Sequence, residues 1–424
     1  MTNLKRLFCI SKYAGKGFSI RVVLFALVLA FAACGGGGGG GGDVYVGGTG
    51  TPDTAWYYDN TGAASFTISD ADELAGLAQL VNSGINFSGK TITQTVNIDL
   101  SAYAAGAGWT PIGGITQMFA GSYDGEGHTI INLKIDSSNK SWQGMFGYID
   151  NGGNVKNIGL IDVNITITIT SGSDFGGIAG SSLGTIQNCY VTGSITITGS
   201  GDSVGGIAGY CKDTQNCYTT CNISAPGSSN VGGIVGGIVS SGNVLYCYST
   251  GDISGNNAVG GVAGVASVAW CYATGRVTGN DFVYGLTAGN AGFSVALNPS
   301  VTTTANNSTH LGRAAGWSWM NYSFARDTMV VKYNWNGSAG TDKYPLTDAE
   351  VDGINVSPGS GASANFDPGH QAMYNYNNKE FWTWPATAGA GNWDLSAAGA
   401  WQWGGNELPI LRNMPKGSQN HKTQ

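Results

Sequence analysis

The chain has 424 residues and a formal net charge of −7, with only 11% charged residues against 70 glycines. This acidic, charge-poor balance excludes nucleic acid and anionic membrane surfaces as electrostatic partners. It would be odd for a cytosolic enzyme.

The first 33 residues read as an export signal, to be set aside before any fold reasoning. Lys5, Arg6, Lys12, Lys16 and Arg21 form a basic stretch, and Val22 to Ala33 an apolar run of 12 residues. That run is too short to cross a bilayer as a helix. It ends Phe31-Ala32-Ala33-Cys34. Small residues before a single cysteine resemble a bacterial lipobox, with Cys34 lipidated and first in the mature chain. Phe31 departs from the usual leucine, and an ordinary secretory signal cleaved near Ala33 is the alternative. Loss of residues 1–33 removes five positive and no negative charges, taking the net charge from −7 to −12. Gly35 to Gly42 follow, so residues 34–53 read as a flexible tether.

Residues 54–110 are expected to form an N-terminal cap and the first coils. Within them, 69–84 read as a short helix. Leu74, Leu77, Leu80 and Val81 make its apolar stripe, Ser69 with Asp72 its capping box, and Gly84 its stop.

Residues 111–298 are assigned to a solenoid body, because a repeat returns about every 28 residues over 174–289. It reads DFGGIAG…GTIQNCYVTG, SVGGIAG…TQNCYTTC, NVGGIVG…VLYCYSTG and AVGGVAG…AWCYATG. The last glycine of each GG-I/V-x-G block falls at Gly180, Gly209, Gly236 and Gly264, spaced 29, 27 and 28 apart. A fixed period of this size marks units that bury their apolar faces only by stacking on one another. Ile165, Ile167 and Ile169 alternate with Thr166, Thr168 and Thr170, so one face points in and one out. Short strands and glycine or Asn/Ser turns, with no helical pattern between them, predict an all-β, right-handed parallel β-helix. The paired glycines are expected at coil bends or where φ is positive.

Stacking turns repeat positions into ladders. Cys189, Cys217, Cys247 and Cys271 form one, beside Tyr190, Tyr218, Tyr248 and Tyr272. A line of thiols packs as small hydrophobes and does not converge tetrahedrally on zinc. Parallel Cβ vectors also suit disulfides poorly. Cys211 and Cys221, off the ladder, are the better disulfide candidates.

The pattern V-G-G-I-A-G…G-T-I-x-N-C-Y-x-T-G resembles the GLUG repeat of bacterial surface and secreted proteins. That repeat also occurs in the non-catalytic part of streptococcal IgA-specific metallopeptidases. NFSGKTITQTVNIDLS, GWTPIGG, FAGSYDGEGHTIINLKI and GMFGYID…VKNIGL resemble the coils that precede such repeats. GRAAG…NYSFARDTM and WQWGGNELPIL resemble their end. The resemblance spans residues 66–412. It implies a surface module, and it implies no peptidase, since HExxH is missing from the sequence.

Residues 299–424 read as closing coils and a tryptophan-rich cap. Eight of twelve tryptophans lie after residue 300. Asp348 to Asn355 are expected to hold one helical turn. The tryptophans either seal the end of the solenoid or, through Trp382, Trp384, Trp401 and Trp403, offer a platform for sugar rings.

For chemistry, Asp124, Glu126 and His128 of DGEGH are the best catalytic candidates. Against that stands the use of D-G-x-G-H-T-I as a turn entering a strand. The four histidines show no metal-ligand spacing, and no P-loop or GxSxG is present. No cofactor or metal is expected. Water-ordering threonine ladders are another possibility, but T-x-T occurs in only two segments, 166–170 and 196–198.

The expected protein is a monomeric, lipid-anchored surface solenoid at the bacterial outer membrane, or a secreted one. Its expected role is adhesin-like binding of a glycan or host protein. The alternatives are a β-helix polysaccharide lyase or hydrolase, and a passive spacer or coat.

Overall fold

The structure is a computed structural model. It describes residues 43–305, 310–316, 323–333, 341–342, 354–356, 379–383, 393–403, 408–412, 414 and 419. The chain divides after Asp43, and the body described here begins at Val44. Cys34, the expected lipidation site, lies outside the described residues. Ordered structure sets in within the expected tether. Tyr45–Val46 pairs with Asn97–Ile98, and Thr49 and Gly50 donate backbone hydrogen bonds to the Asp72 carboxylate.

The described body is a parallel β-solenoid of about nine turns. Its strands form a larger sheet of 22 strands and a smaller one of 11. One coil shows the path. Tyr190–Gly205 lies in the larger sheet. The chain bends at Gly206-Ile207, runs through Ala208–Gln215 in the smaller sheet, and returns by Asn216-Cys217 to Tyr218–Thr219. Each strand pairs with its counterpart one repeat later, so like residues meet. Ile165, Ile195, Ile223, Ile253, Val277 and Val301 form one continuous register and are all buried. Burying such side chains contributes roughly 1.5–3 kcal/mol each.

At the N-terminal end lies the helix Ala71–Asn82. Its Leu74, Leu77, Leu80 and Val81 join the core of the coils, as their spacing predicts. The cap differs by one residue from the expected box. Asp70 is the N-cap and accepts the Glu73 amide at 2.8 Å, while Glu73 reaches back to the amide and hydroxyl of Ser69. Asp72 is diverted to tie Thr49, Gly50 and Tyr103. Gly84, at φ +106, follows the helix end as expected. At the far end, Ile354–Val356 pairs in parallel with Phe324–Arg326, so the expected helical turn is a strand there. Residues 348–353 lie outside the described residues.

The motif glycines sit at the coil bends, as expected, but not at positive φ. The left-handed corner positions fall to non-glycine residues, among them Asn188, Asn216, Tyr246 and Trp270 at φ 52–54. The glycine pairs are instead needed for close backbone approach. A Cβ on Gly206 would sit 2.3 Å from the carbonyl oxygen of Gly233 in the next coil and 2.7 Å from the Thr219 side chain. That carbonyl belongs to the stacking ladder and cannot retreat without breaking it. Gly206→Ala is therefore expected to lower stability by about 3 kcal/mol, at the upper end of overpacking costs. Urea unfolding of the variant against the parent measures this.

Candidate functional site

The DGEGH turn closes the strand Ser122–Asp124. Asp124 is almost fully buried and already engaged. Its carboxylate meets Lys156 Nζ at 2.9 Å and accepts from Asn157 Nδ2 at 2.9 Å and the Glu126 amide at 3.0 Å. Burial pushes this carboxyl up, but the hydrogen bonds from Lys156, Asn157 and Glu126 outweigh it and hold Asp124 below its usual range. A general acid or base at neutral pH needs the opposite tuning. Glu126 is exposed at φ 50, and His128 is half-buried. Gly125 lies against the next coil, where a Cβ would meet the Asn157 carbonyl at 2.4 Å. The turn is built to hold a corner.

That corner starts a ladder that sequence reading missed. Asn157 donates to Asp124, Asn188 to Asn157 at 2.9 Å, and Asn216 to Asn188 at 3.2 Å. On later coils the same corner carries Tyr246, Trp270 and Phe293, with ring centroids 5.2 Å apart. Rings stacked along the axis turn their faces to each other and leave their edges outward. The Asn-Cys-Tyr tripeptides signal this corner only in the first two repeats.

Each cysteine ends the bend and each tyrosine opens the strand that follows, and the two belong to different apolar clusters. Cys189, Cys217, Cys247 and Cys271 face the core and are free thiols. They do more than fill space. The amides of Cys189, Cys217 and Cys247 each donate to the sulfur one coil on, at 3.4 Å. Each of the four thiols lies 3.1–3.2 Å from a carbonyl two residues upstream. The ladder thus satisfies the backbone groups freed at the bend. One coil later Ser294 takes the position, accepting from Cys271 N at 3.1 Å and donating to Gly292 O at 2.8 Å. Burial pushes the Cys189 and Cys247 thiols up, while hydrogen bonds from the neighbouring sulfurs pull Cys217 down. The sulfurs lie one per coil in a row, whereas zinc needs tetrahedral convergence. Among the described residues no three metal-ligating side chains converge.

Cys211 and Cys221 are both buried free thiols, which corrects the disulfide expectation. Cys211 lies in the smaller sheet and contacts the Thr214 hydroxyl at 3.2 Å. Cys221 lies between two strands of the larger sheet. Burial raises the Cys211 thiol to about 12 and the Cys221 thiol higher still.

The four tyrosines stack outside the coils with centroids 4.8–4.9 Å apart and planes within 5°. The stack ends at Gly159, the same register one coil earlier, where a Cβ would strike the Tyr190 ring at 2.2 Å. The C-terminal segment covers this row from the side. Trp382, Trp393 and Trp401 are buried against Tyr272, with centroids 5.9–6.2 Å away, and Phe381 meets Phe324 at 5.1 Å. Tyr272 Oη donates to Pro409 O, Tyr248 Oη to Gln419 Oε1, and Trp393 Nε1 to Phe293 O, each at 3.0 Å. The tryptophans thus seal a lateral aromatic row. With Trp382 and Trp401 fully buried, a sugar platform cannot use their faces. Trp403 is half-buried, and Trp384 lies outside the described residues.

Asp174 was not singled out from the sequence. Burial raises its carboxyl to about 6, and the nearby Asp202 carboxylate adds to this, against hydrogen bonds from Ser181, Ser173 and Trp142.

The fold thus defines a repeat-built parallel β-solenoid with ladder-stabilised corners. No family model matches the chain. Over 154 residues it is 37% identical to "Halomucin" of Haloquadratum walsbyi, covering 34% of this chain and 2% of that protein. Over 150 residues it is 29% identical to a "Putative Gly-rich membrane protein" of Evansella cellulosilytica, covering 35% of this chain and 16% of the other. The chain therefore spans only a small part of these relatives. A crystal structure described as a putative immunoglobulin A1 protease from Bacteroides ovatus aligns with a TM-score of 0.45 and 21% identity, over 69% of this chain and 84% of that one.

Two outcomes follow from these contacts. Cys217→Ser keeps a donor and an acceptor and should cost under about 1 kcal/mol, whereas Cys217→Ala leaves the Cys189 amide unpaired and should cost about 1–3 kcal/mol. Denaturant midpoints of the two variants test the difference. For Asp174, the folded state holds its proton more tightly than the unfolded chain. Stability from this group is therefore present at acid pH and lost as pH rises from about 4 through about 6. Thermal melts at pH 4.5 and 7.5 should show it, and Asp174→Asn should flatten the difference.

Proposed function

We propose that the chain is an exported solenoid, lipid-anchored through Cys34, that acts as a binding module at the bacterial cell surface. Its partner is a glycan or a host surface protein. The observation that carries this reading is the parallel coil-on-coil stacking of the described strands between Ile98 and Lys332, which gives a long, repeating outer surface. The names Halomucin and Gly-rich membrane protein accord with surface or membrane association. Among the described residues no helix is long and apolar enough to cross a membrane. The anchor in this reading is the lipid on Cys34, with the following glycine run as its leash.

A second reading, a passive spacer or coat, draws on the burial of Trp382, Trp393 and Trp401, because those rings serve the protein's own packing. The enzyme reading rests on Asp124, whose carboxyl is committed to Lys156 and Asn157.

A screen of the mature chain on glycans and matrix proteins separates these. Saturable binding to at least one partner is expected. A blank on every surface would favour the spacer, and depolymerisation of a polysaccharide that Asp124→Asn abolishes would favour the enzyme.

A further inference from the structure

One column of the larger sheet has a property that the sequence hides. Thr166 pairs with Thr196, Thr196 with Ser224, Ser224 with Ser254, Ser254 with Thr278, and Thr278 with Thr302. Six successive coils thus place a hydroxyl at one position. Read along the chain, the segments look unlike: Ile-Thr-Ile-Thr, Asn-Ile-Ser, Asp-Ile-Ser, Arg-Val-Thr. In register they share one rule, a buried aliphatic residue followed by a hydroxyl. Ile165, Ile195, Ile223, Ile253 and Val277 are buried, while Thr166 to Thr278 of the column are exposed or half-exposed. Thr302 is buried and closes the column, its hydroxyl 3.1 Å from that of Thr278.

A second column flanks it. Asn164, Ser194 and Asn222 share a register, continued by Asp252 and Arg276. These last residues stitch the corner, Asn222 Oδ1 accepting from the Asp252 amide and Asp252 Oδ1 from that of Arg276. Asp252 and Arg276 also pair at 3.5 Å, so the column ends without net charge. The result is a strip of mostly small polar groups, one rung per coil at about the interstrand spacing, flanked by Lys134 and Asp136 on the coil before it and by Lys332 on the coil after it.

The chemistry of this strip selects its partner. A hydroxyl both donates and accepts, so the strip suits a partner rich in the same groups. Protein interfaces draw their energy from aromatic and arginine anchors and are depleted in serine. Beside this strip the tyrosine column is committed to the Tyr-Trp lobe, and Tyr246, Trp270 and Phe293 to the corner stack. An ordered water lattice is a poorer fit, because serine removes the threonine methyl at two rungs and Asp252 and Arg276 interrupt the neighbouring column. We propose that this strip binds an extended, uncharged β-linked polysaccharide lying along the coil axis, with successive sugars meeting successive rungs. This names the partner class for the binding module proposed above and rests on that reading.

Binding distributed over rungs depends on ligand length, since each added sugar engages intramolecularly. Calorimetry of the mature chain with cello- and chito-oligosaccharides of one to six sugars tests it. Affinity should rise steadily with length. The triple variant Thr166→Val/Thr196→Val/Ser224→Ala should bind the hexasaccharides at least tenfold more weakly, with unchanged thermal midpoint and strand circular dichroism. Unchanged binding by a folded triple variant would overturn the proposal, as would length-independent affinity or failure of both sugar series. If a protein or an anionic glycan binds saturably and equally to parent and triple variant, the surface-module reading stands and the strip assignment falls. If nothing binds at all, both fall.

Discussion

Everything in this structure follows from in-register stacking at about the interstrand distance. Once coils lie 4.8–4.9 Å apart, each position in the repeat becomes a column of near neighbours. Each column must then be compatible with itself. Aliphatic residues stack in the core, tyrosine on tyrosine outside it, and asparagine on asparagine at one corner. Like charges directly opposite each other on neighbouring strands repel. A column of lysines or aspartates would repel along its whole length, and this accounts for a composition of only 11% charged residues. Asp252 and Arg276, on successive rungs, are opposite in sign, while Asp174 and Asp202, alike in sign on successive coils, raise the Asp174 carboxyl.

The same constraint explains what could be read from the sequence. The period, the Ile/Thr alternation and the Cys and Tyr columns are local signals that repeat, and they led directly to a parallel solenoid. The corner conformation was harder. Asparagine tolerates a left-handed φ well, so Asn188 and Asn216 fit the pattern, but Tyr246 and Trp270 occupy the same geometry. Their cost is offset by ring stacking between coils, which no local propensity expresses. The glycine pairs fall at the bends as expected, but the reason they must be glycine was open. Sequence shows that a side chain is missing, but only the next coil shows whether φ or contact demands its absence. The seat of the tryptophans was wholly illegible, because Tyr272 meets Pro409 across 137 residues and Tyr248 meets Gln419 across 171.

Adjacent residues in the repeat have divided labour. Cysteine turns inward and satisfies the amides and carbonyls that the bend would otherwise strand. Serine takes over at residue 294 with the same two hydrogen bonds, which identifies polar satisfaction as the need that cysteine meets. Tyrosine turns outward and creates an apolar row that water would penalise. The C-terminal lobe meets that second need, with aromatic contacts worth about 0.5–1.5 kcal/mol each beyond their area. The burial of Trp382, Trp393 and Trp401 is thus tied to the tyrosine column.

Sealing one row leaves the molecule with two kinds of outer surface. The aromatic row is closed by the chain itself, and the hydroxyl strip is open. A closed aromatic row favours a rigid frame, while an open polar strip offers many weak, equivalent contacts in place of one hot spot. Such a surface discriminates by spacing and length more than by any single group. Each further coil of the same pattern would add one rung without altering the others, because stability and surface both grow through nearest-neighbour terms. Affinity in such a design is set by the number of coils, and a mutation at one rung weakens binding by a fraction without abolishing it.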